Sequence, residues 1–127
     1  MLKILVAEDD KYLGNAYRVK LAKAGFDVKI ALDGQEALGS LKTFTPDLII
    51  LDVVMPKKDG FATLEELKKN PQWEHIPVII ASNLGQKEDL ERGLTLGAND
   101  FIVKSELSLN NLIEKVKALL QDKENKA

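Results

Sequence analysis

A chain of 127 residues, 45% apolar and 30% charged, is long enough for one hydrophobic core and has the make-up of an ordinary soluble domain. Its net charge of -2 gives no bulk electrostatic pull toward nucleic acid or an anionic membrane, and the absence of cysteine excludes disulfides and thiolate metal sites. The amino-terminal run MLKILVAEDD meets acids too soon for a secretory signal or a membrane span, so a cytoplasmic protein is expected.

Lys3 to Ala7 (KILVA) is apolar nearly throughout, which predicts a strand covered on both faces. Leu13, Ala16, Tyr17, Leu21 and Ala24 then recur at helical spacing up to Gly25, a good left-handed terminator. Asp27 to Ala31 (DVKIA) alternates and predicts an edge strand. A second helix opens at Asp33-Gly34-Gln35-Glu36, a capping-box spacing with Asp in the cap position, and presents Ala37, Leu38 and Leu41. The third strand is expected over Asp47 to Leu51 (DLIIL), and the third helix follows Asp59-Gly60 with Phe61, Leu64 and Leu67, ending before Pro71. Trp73 and His75, in the next loop, are expected to pack there. Pro77 to Ala81 (PVIIA) predicts the fourth strand, and a helix near Gln86 to Leu96 closes at Gly97. Phe101 to Val103 (FIV) predicts the last strand. Ser108 then caps a fifth helix with Leu109, Leu112, Ile113, Val116, Leu119 and Leu120 as its buried stripe. The alternation predicts a (βα)5 α/β domain around a parallel five-stranded sheet, over residues 1–122, with residues 123–127 as a charged, frayed tail.

In such a sheet, ligands sit at the carboxyl ends of the strands. There the chain places Glu8-Asp9-Asp10, Asp52, Ser82-Asn83 and Lys104-Ser105. An acid such as Asp52 at the end of a buried strand is costly to desolvate unless a cation compensates it, and neighbouring carboxylates add repulsion. Mg²⁺, a hard cation that takes carboxylate oxygens, removes that conflict. Ser82 and Lys104 are suited to phosphoryl oxygens, and an Asp carboxylate beside Mg²⁺ is a known type of phosphoryl acceptor.

The segments KILVAEDD, PDLIILDVVMPKKDG, IPVIIASN and GANDFIVK, in this order and spacing over almost the whole chain, resemble the receiver domain of two-component response regulators, of the single-domain, chemotaxis-regulator-like kind. The resemblance implies a doubly wound, flavodoxin-like sheet of order 2-1-3-4-5 with helices on both faces. It implies Asp52 as phosphoacceptor, and Mg²⁺ (or Mn²⁺ in its place) on Glu8, Asp9, Asp52 and the backbone carbonyl of Val54, with Asp10 left as a helix cap. Ser82 matches the switch hydroxyl, Lys104 the phosphate-contacting lysine, and Phe101 the aromatic that changes rotamer. The implied donor is a sensor histidine kinase or histidine phosphotransfer protein. The implied output is a downstream protein bound by the surface of the fourth helix, fifth strand and fifth helix. No direct contact with nucleic acid or membrane is expected, and the implied state is a monomer or a weak phosphorylation-dependent dimer.

Two positions depart from the family pattern. Ser105 stands where a proline in a cis peptide is usual, so the bond is either cis under strain or trans with Lys104 presented differently. Lys57 stands where glycine is common, which suggests an unusual backbone angle there. Alternatives carried forward are a receiver belonging to a longer regulator, a phosphorylation-independent pseudo-receiver, an aspartyl-phosphate hydrolase and a flavodoxin-like cofactor binder. The hydrolase reading lacks a second acid at Val54, and the cofactor reading meets acids where a phosphate loop should lie. The protein is therefore expected to be a switch rather than an enzyme. The resemblance makes Val54 and Leu84 the residues that influence water access to the site, and since both are apolar it implies slow self-dephosphorylation.

Overall fold

The computed structural model describes residues 1–106 and 108–125, with residues 122–125 as backbone only. Ten elements alternate along the chain: β1 (Lys3–Ala7), α1 (Lys11–Lys23), β2 (Asp27–Ala31), α2 (Gly34–Ser40), β3 (Leu48–Leu51), α3 (Gly60–Lys69), β4 (Val78–Ser82), α4 (Lys87–Thr95), β5 (Asp100–Val103) and α5 (Leu109–Asn125). The strands pair in parallel in the order β2-β1-β3-β4-β5. Val6 of β1 lies opposite Ile30 on one side and Ile50 on the other.

Side chains alternate across the sheet and so build two cores. Leu5, Ile49, Leu51 and Ile80 pack with Ala37 of α2, Leu41 just past its end, and Phe61, Leu64 and Leu67 of α3. Ile4, Val6, Ile50 and Ile79 pack on the other face with Tyr17, Leu21, Leu112 and Val116 from α1 and α5. This two-sided burial is why LIIL and VIIA carry no polar alternation, while β2 at the edge does.

The helix starts are set by the acids and hydroxyl singled out in the sequence. Asp10 accepts from the backbone N–H groups of Tyr12 and Leu13, and Asp59 from that of Ala62. Asp33 accepts from Glu36 N–H, while Glu36 reaches one residue past the cap and accepts from Leu32 N–H, a variant of the capping box. Ser108 accepts from Asn111 N–H. Gly25 and Gly97 end their helices at φ 97° and 109°.

Several details differ from the sequence reading. β3 begins at Leu48 because Asp47 turns its carboxylate to Lys3 N–H at 2.7 Å, and β4 extends through Ser82. Leu119 is exposed, since at about 100° per residue it falls on the edge of the α5 stripe. His75 faces solvent, whereas Trp73 packs on the α2–α3 core. α5 continues to Asn125, into the stretch expected as a frayed tail, whose last residues Lys126 and Ala127 lie outside the described residues. No helix among the described residues is long and apolar enough to cross a membrane.

Candidate functional site

The chain reverses direction across the sheet between β1 and β3, since β2 lies on one side of β1 and β3 on the other. That switch point opens a crevice at the carboxyl edge, and the first residues beyond the two strands are Glu8 and Asp52. Their backbones stay in the ladder: Glu8 N–H donates to Ala31 and Asp52 N–H to Ala7. Both carboxylates are therefore held by the sheet, and both are buried.

Lys104, immediately past β5, reaches across this edge. Its Nζ lies 2.5 Å from Glu8 Oε1 and 3.0 Å from Asp52 Oδ2. The remaining oxygens are occupied by backbone donors, Asp10 N–H on Glu8 Oε2 and Val53 N–H on Asp52 Oδ1. Asp9 is exposed beside them, and one oxygen from each of Glu8, Asp9 and Asp52 lies within 4.8 Å of the others. Three acids thus face one ammonium.

The electrostatics follow from that imbalance. Burial pushes the Glu8 carboxyl above its usual range, the hydrogen bonds from Lys104 and Asp10 oppose the rise, and the Asp52 charge adds to it. For Lys104, burial alone would favour the neutral amine, yet its bonds to Glu8 and Asp52 outweigh this and raise its pKa. Tyr17, buried on the α1 side, is pushed up by burial and further by the Glu8 and Asp52 charges.

The other residues singled out in the sequence divide into two groups. Ser82 is fully buried, accepts from Leu84 N–H at 3.3 Å, and lines with Glu8, Asp9, Asp52, Val54 and Lys104 a cleft of about 390 Å³. Val54 sits at its mouth, 62% exposed. Phe101 lies outside the cleft. It is half-buried under α4, where a Cβ on Gly93 would come within 2.9 Å of its ring and 2.8 Å of Ile80 Cδ1. The peptide joining Lys104 to Ser105 is trans, and Lys57 is the one non-glycine among the described residues at positive φ, 66°.

Sequence reasoning missed the glycines that hold the site's backbone. A Cβ on Gly60 would lie 2.1 Å from the Asp52 carbonyl oxygen and 2.8 Å from Val53 Cα, so only glycine lets α3 start against the strand end. Gly34 is similarly closed in, by Lys58 O and Thr63 Oγ1. The pairs Asp33-Gly34 and Asp59-Gly60 carry the signal, but a capping-box spacing accounts for the first and a turn ahead of the third helix for the second without it.

A doubly wound α/β domain whose switch point holds a cleft of three clustered carboxylates and one lysine is thus the class that fold and site define. Residues 4–117 match the family model described as the response regulator receiver domain, and the chain belongs to that family. It is 38% identical over 123 residues to a probable transcriptional regulator, ycf27, of Cyanophora paradoxa, covering 97% of this chain and 50% of that protein. The chain therefore spans about half the length of the curated relatives it matches. Among solved structures, the receiver domain of a signal transduction histidine kinase from Syntrophus aciditrophicus superposes with a TM-score of 0.88 at 36% identity, covering 96% of this chain and 92% of that one. The receiver domain of Francisella response regulator 1452 gives 0.88 at 36% identity, with 97% and 99% covered. The strand order expected from the resemblance, 2-1-3-4-5, is the observed one.

Proposed function

We propose that the protein is a phosphorylation-controlled signalling switch in which Asp52 takes a phosphoryl group from a sensor histidine kinase or histidine phosphotransfer protein. The observation that carries this reading is the Lys104 ammonium bridging Glu8 Oε1 and Asp52 Oδ2 in an open cleft. In the transfer, a carboxylate oxygen of Asp52 attacks phosphorus, the P–N bond to the donor imidazole breaks, and its electron pair stays on that nitrogen. Lys104 then exchanges a carboxylate partner for a phosphoryl oxygen. The Ser82 hydroxyl, which accepts from Leu84 N–H, has its own proton to give to another.

The donor set fits a hard divalent cation, because three clustered carboxylates, two of them buried, share a single lysine. Glu8, Asp9, Asp52 and the Val54 carbonyl would hold Mg²⁺, or Mn²⁺ in its place. When bound, the ion supplies charge neutralisation for the phosphoryl oxygens.

Output is assigned to the α4-β5-α5 surface and a downstream protein partner, by a shift between two pre-existing arrangements. Recruitment of Ser82 toward the phosphoryl group frees room for Phe101 to turn. Residues 1–122 act as the receiver module, alone or within a longer regulator, in the cytoplasm and without direct contact to nucleic acid or membrane. It is a monomer or a weak phosphorylation-dependent dimer. Val54 and Leu84 offer no group to position an attacking water, so the phosphoryl group is lost slowly; a half-life of seconds in Mg²⁺ would refute this part.

The test is intact-protein mass after incubation with acetyl phosphate, with and without Mg²⁺, beside Asp52→Asn. A single Mg²⁺-dependent phosphoryl adduct that vanishes in the variant is expected. No adduct on the parent chain would instead make the protein a pseudo-receiver.

A further inference from the structure

The loop that joins Asp52 to α3 contains a strained turn. Lys57 adopts φ 66°, and Lys58 N–H donates back to Pro56 O at 2.7 Å, closing a three-residue turn. A side chain at such an angle is unfavourable and persists only where the surroundings over-determine it. Much of the surrounding support comes from α3, the element next in sequence: Gly60 N–H donates to Val53 O, Thr63 Oγ1 to Asp59 O, and Glu66 pairs with Lys58. The distant support comes from the amino end of α2.

There Gly34 N–H donates to Lys58 O at 3.1 Å, and Asp33 Oδ2 faces Lys57 Nζ at 3.8 Å. The fit is tight: a Cβ on Gly34 would lie 2.4 Å from Lys58 O and 2.1 Å from Thr63 Oγ1. Asp33 is buried, with Oδ1 committed to Glu36 N–H and Oδ2 toward the lysine. The loop is thereby pinned at Val53 by Gly60 and at Lys57–Lys58 by α2, and exposed Val54 hangs between the two pins.

We propose that Asp33 and Gly34 are positioning residues for the cation site: the amino end of α2 clamps the Lys57 turn and so fixes the direction of the Val54 carbonyl. This rests on the reading that the Val54 carbonyl is a cation ligand. The clamp acts on affinity for the ion, because it sets a ligand in place without touching the reacting carboxylate. The Lys57–Asp33 pair is half in solvent and weak, so its loss is a few-fold effect, whereas a side chain at Gly34 displaces backbone.

The test is Mg²⁺ titration of the full chain by NMR, together with the rate of phosphoryl adduct formation from acetyl phosphate at saturating Mg²⁺. Asp33→Asn keeps a cap oxygen and loses the charge, and is expected to raise the Mg²⁺ Kd about two- to five-fold. Gly34→Ala is expected to raise it about tenfold or more, with the rate restored once Mg²⁺ saturates. Gly39→Ala is the matched control in the same helix, since its Cβ meets nothing within 4 Å. In a Lys57→Gly background, where the turn needs no clamp and the pair is gone, Asp33→Asn is expected to leave the Kd unchanged. A general charge effect of Asp33 would persist in that background and would overturn the clamp, as would Gly34→Ala binding Mg²⁺ like the parent. If Gly34→Ala does not fold, the Asp33 and Lys57 variants decide the matter. A parent chain that binds no Mg²⁺ overturns the cation reading and the clamp with it, whereas binding that is insensitive to Asp33 and Gly34 overturns the clamp alone.

Discussion

Replacing Lys104 with methionine tests whether the ammonium is what makes two buried acids tolerable. The Lys104, Glu8 and Asp52 side chains are 15%, 2% and 9% exposed, so methionine keeps most of the packing and removes the charge with its two hydrogen bonds. Breaking a buried pair from one side costs about 3–5 kcal/mol, and the open face of the cleft lowers this to about 2–3 kcal/mol here. For a chain of this size that corresponds to a fall in Tm of roughly 8–15 °C. The pH dependence has a definite sign. Burial already raises the Glu8 pKa above the usual carboxylate range, and loss of the lysine raises it further. A carboxyl whose folded pKa is raised contributes stability that is present below the unfolded pKa and is lost as pH rises through the folded one. The deficit of the variant is thus large at pH ~7 and shrinks toward pH ~4.5 as Glu8 takes up its proton. Melting curves followed by circular dichroism in EDTA, at a series of pH values, read this directly. A variant as stable as the parent at neutral pH, or a deficit that does not shrink in acid, would show that the ammonium is not what compensates the acids.

The remaining predictions concern the same edge of the sheet. Glu8→Gln removes a carboxylate that burial makes costly to ionise but keeps an oxygen for Lys104; Tm should rise at neutral pH, the gain should disappear as pH falls through the unfolded carboxyl range, and Mg²⁺ affinity should drop in the same preparation. Gly60→Ala drives a methyl into the Asp52 carbonyl and Val53 Cα, backbone atoms that cannot step aside, so urea unfolding should show a loss of about 3 kcal/mol or more. Gly93→Ala meets Ile80 Cδ1 at 2.8 Å and the near edge of the Phe101 ring at 2.9 Å, side-chain atoms rather than backbone. Its packing cost of about 1–2 kcal/mol is largely offset by a helix-propensity gain of about 1 kcal/mol, so stability should change little while the Phe101 ring resonances move.

What could be read from the sequence was what depends on near neighbours. The strand LIIL lacks polar alternation because both its faces are covered, and Asp10, Asp33 and Ser108 cap helices because each has an amide within three residues to accept from. The meeting of Glu8 with Lys104 is different in kind. The two lie 96 positions apart, and nothing in either segment fixes how many strands separate them; the family resemblance supplied the strand order. Lys104 was expected to contact phosphate, and its pairing with Glu8 depends on its side chain reaching back across the carboxyl edge of the sheet, which neither segment records. Glycine hid most. Gly34 and Gly60 are required by atoms of Lys58, Thr63, Asp52 and Val53 that approach from other elements, and a sequence records the missing side chain without recording what occupies its place. Lys57 is the converse case, since the residue type alone raised the question of an unusual angle, while its partner Asp33 came from a different βα unit.

The route from the cleft to the proposed output surface is short, and its last link is the weakest. Ser82 ends β4, pairs in register with Val103, and its carbonyl accepts from Lys104 N–H at 2.8 Å, so a displacement of Ser82 is felt directly at the end of β5. Two residues back along β5, Phe101 lies opposite Ile80, and both meet α4 at Gly93. Gly93 is the only buried residue of that helix, and Gln86 gives its amino end no side-chain cap. Its other visible hold is the Arg92 guanidinium, 4.5 Å from the centroid of the Phe61 ring, a contact worth about 0.5–1 kcal/mol at an exposed site. Under the proposed function, strain introduced at Ser82 passes to β5, whose partner α4 buries a single residue, rather than into strands buried on both faces. The proposal thus assigns the output to the seam between β5 and α4, where a partner protein would read it.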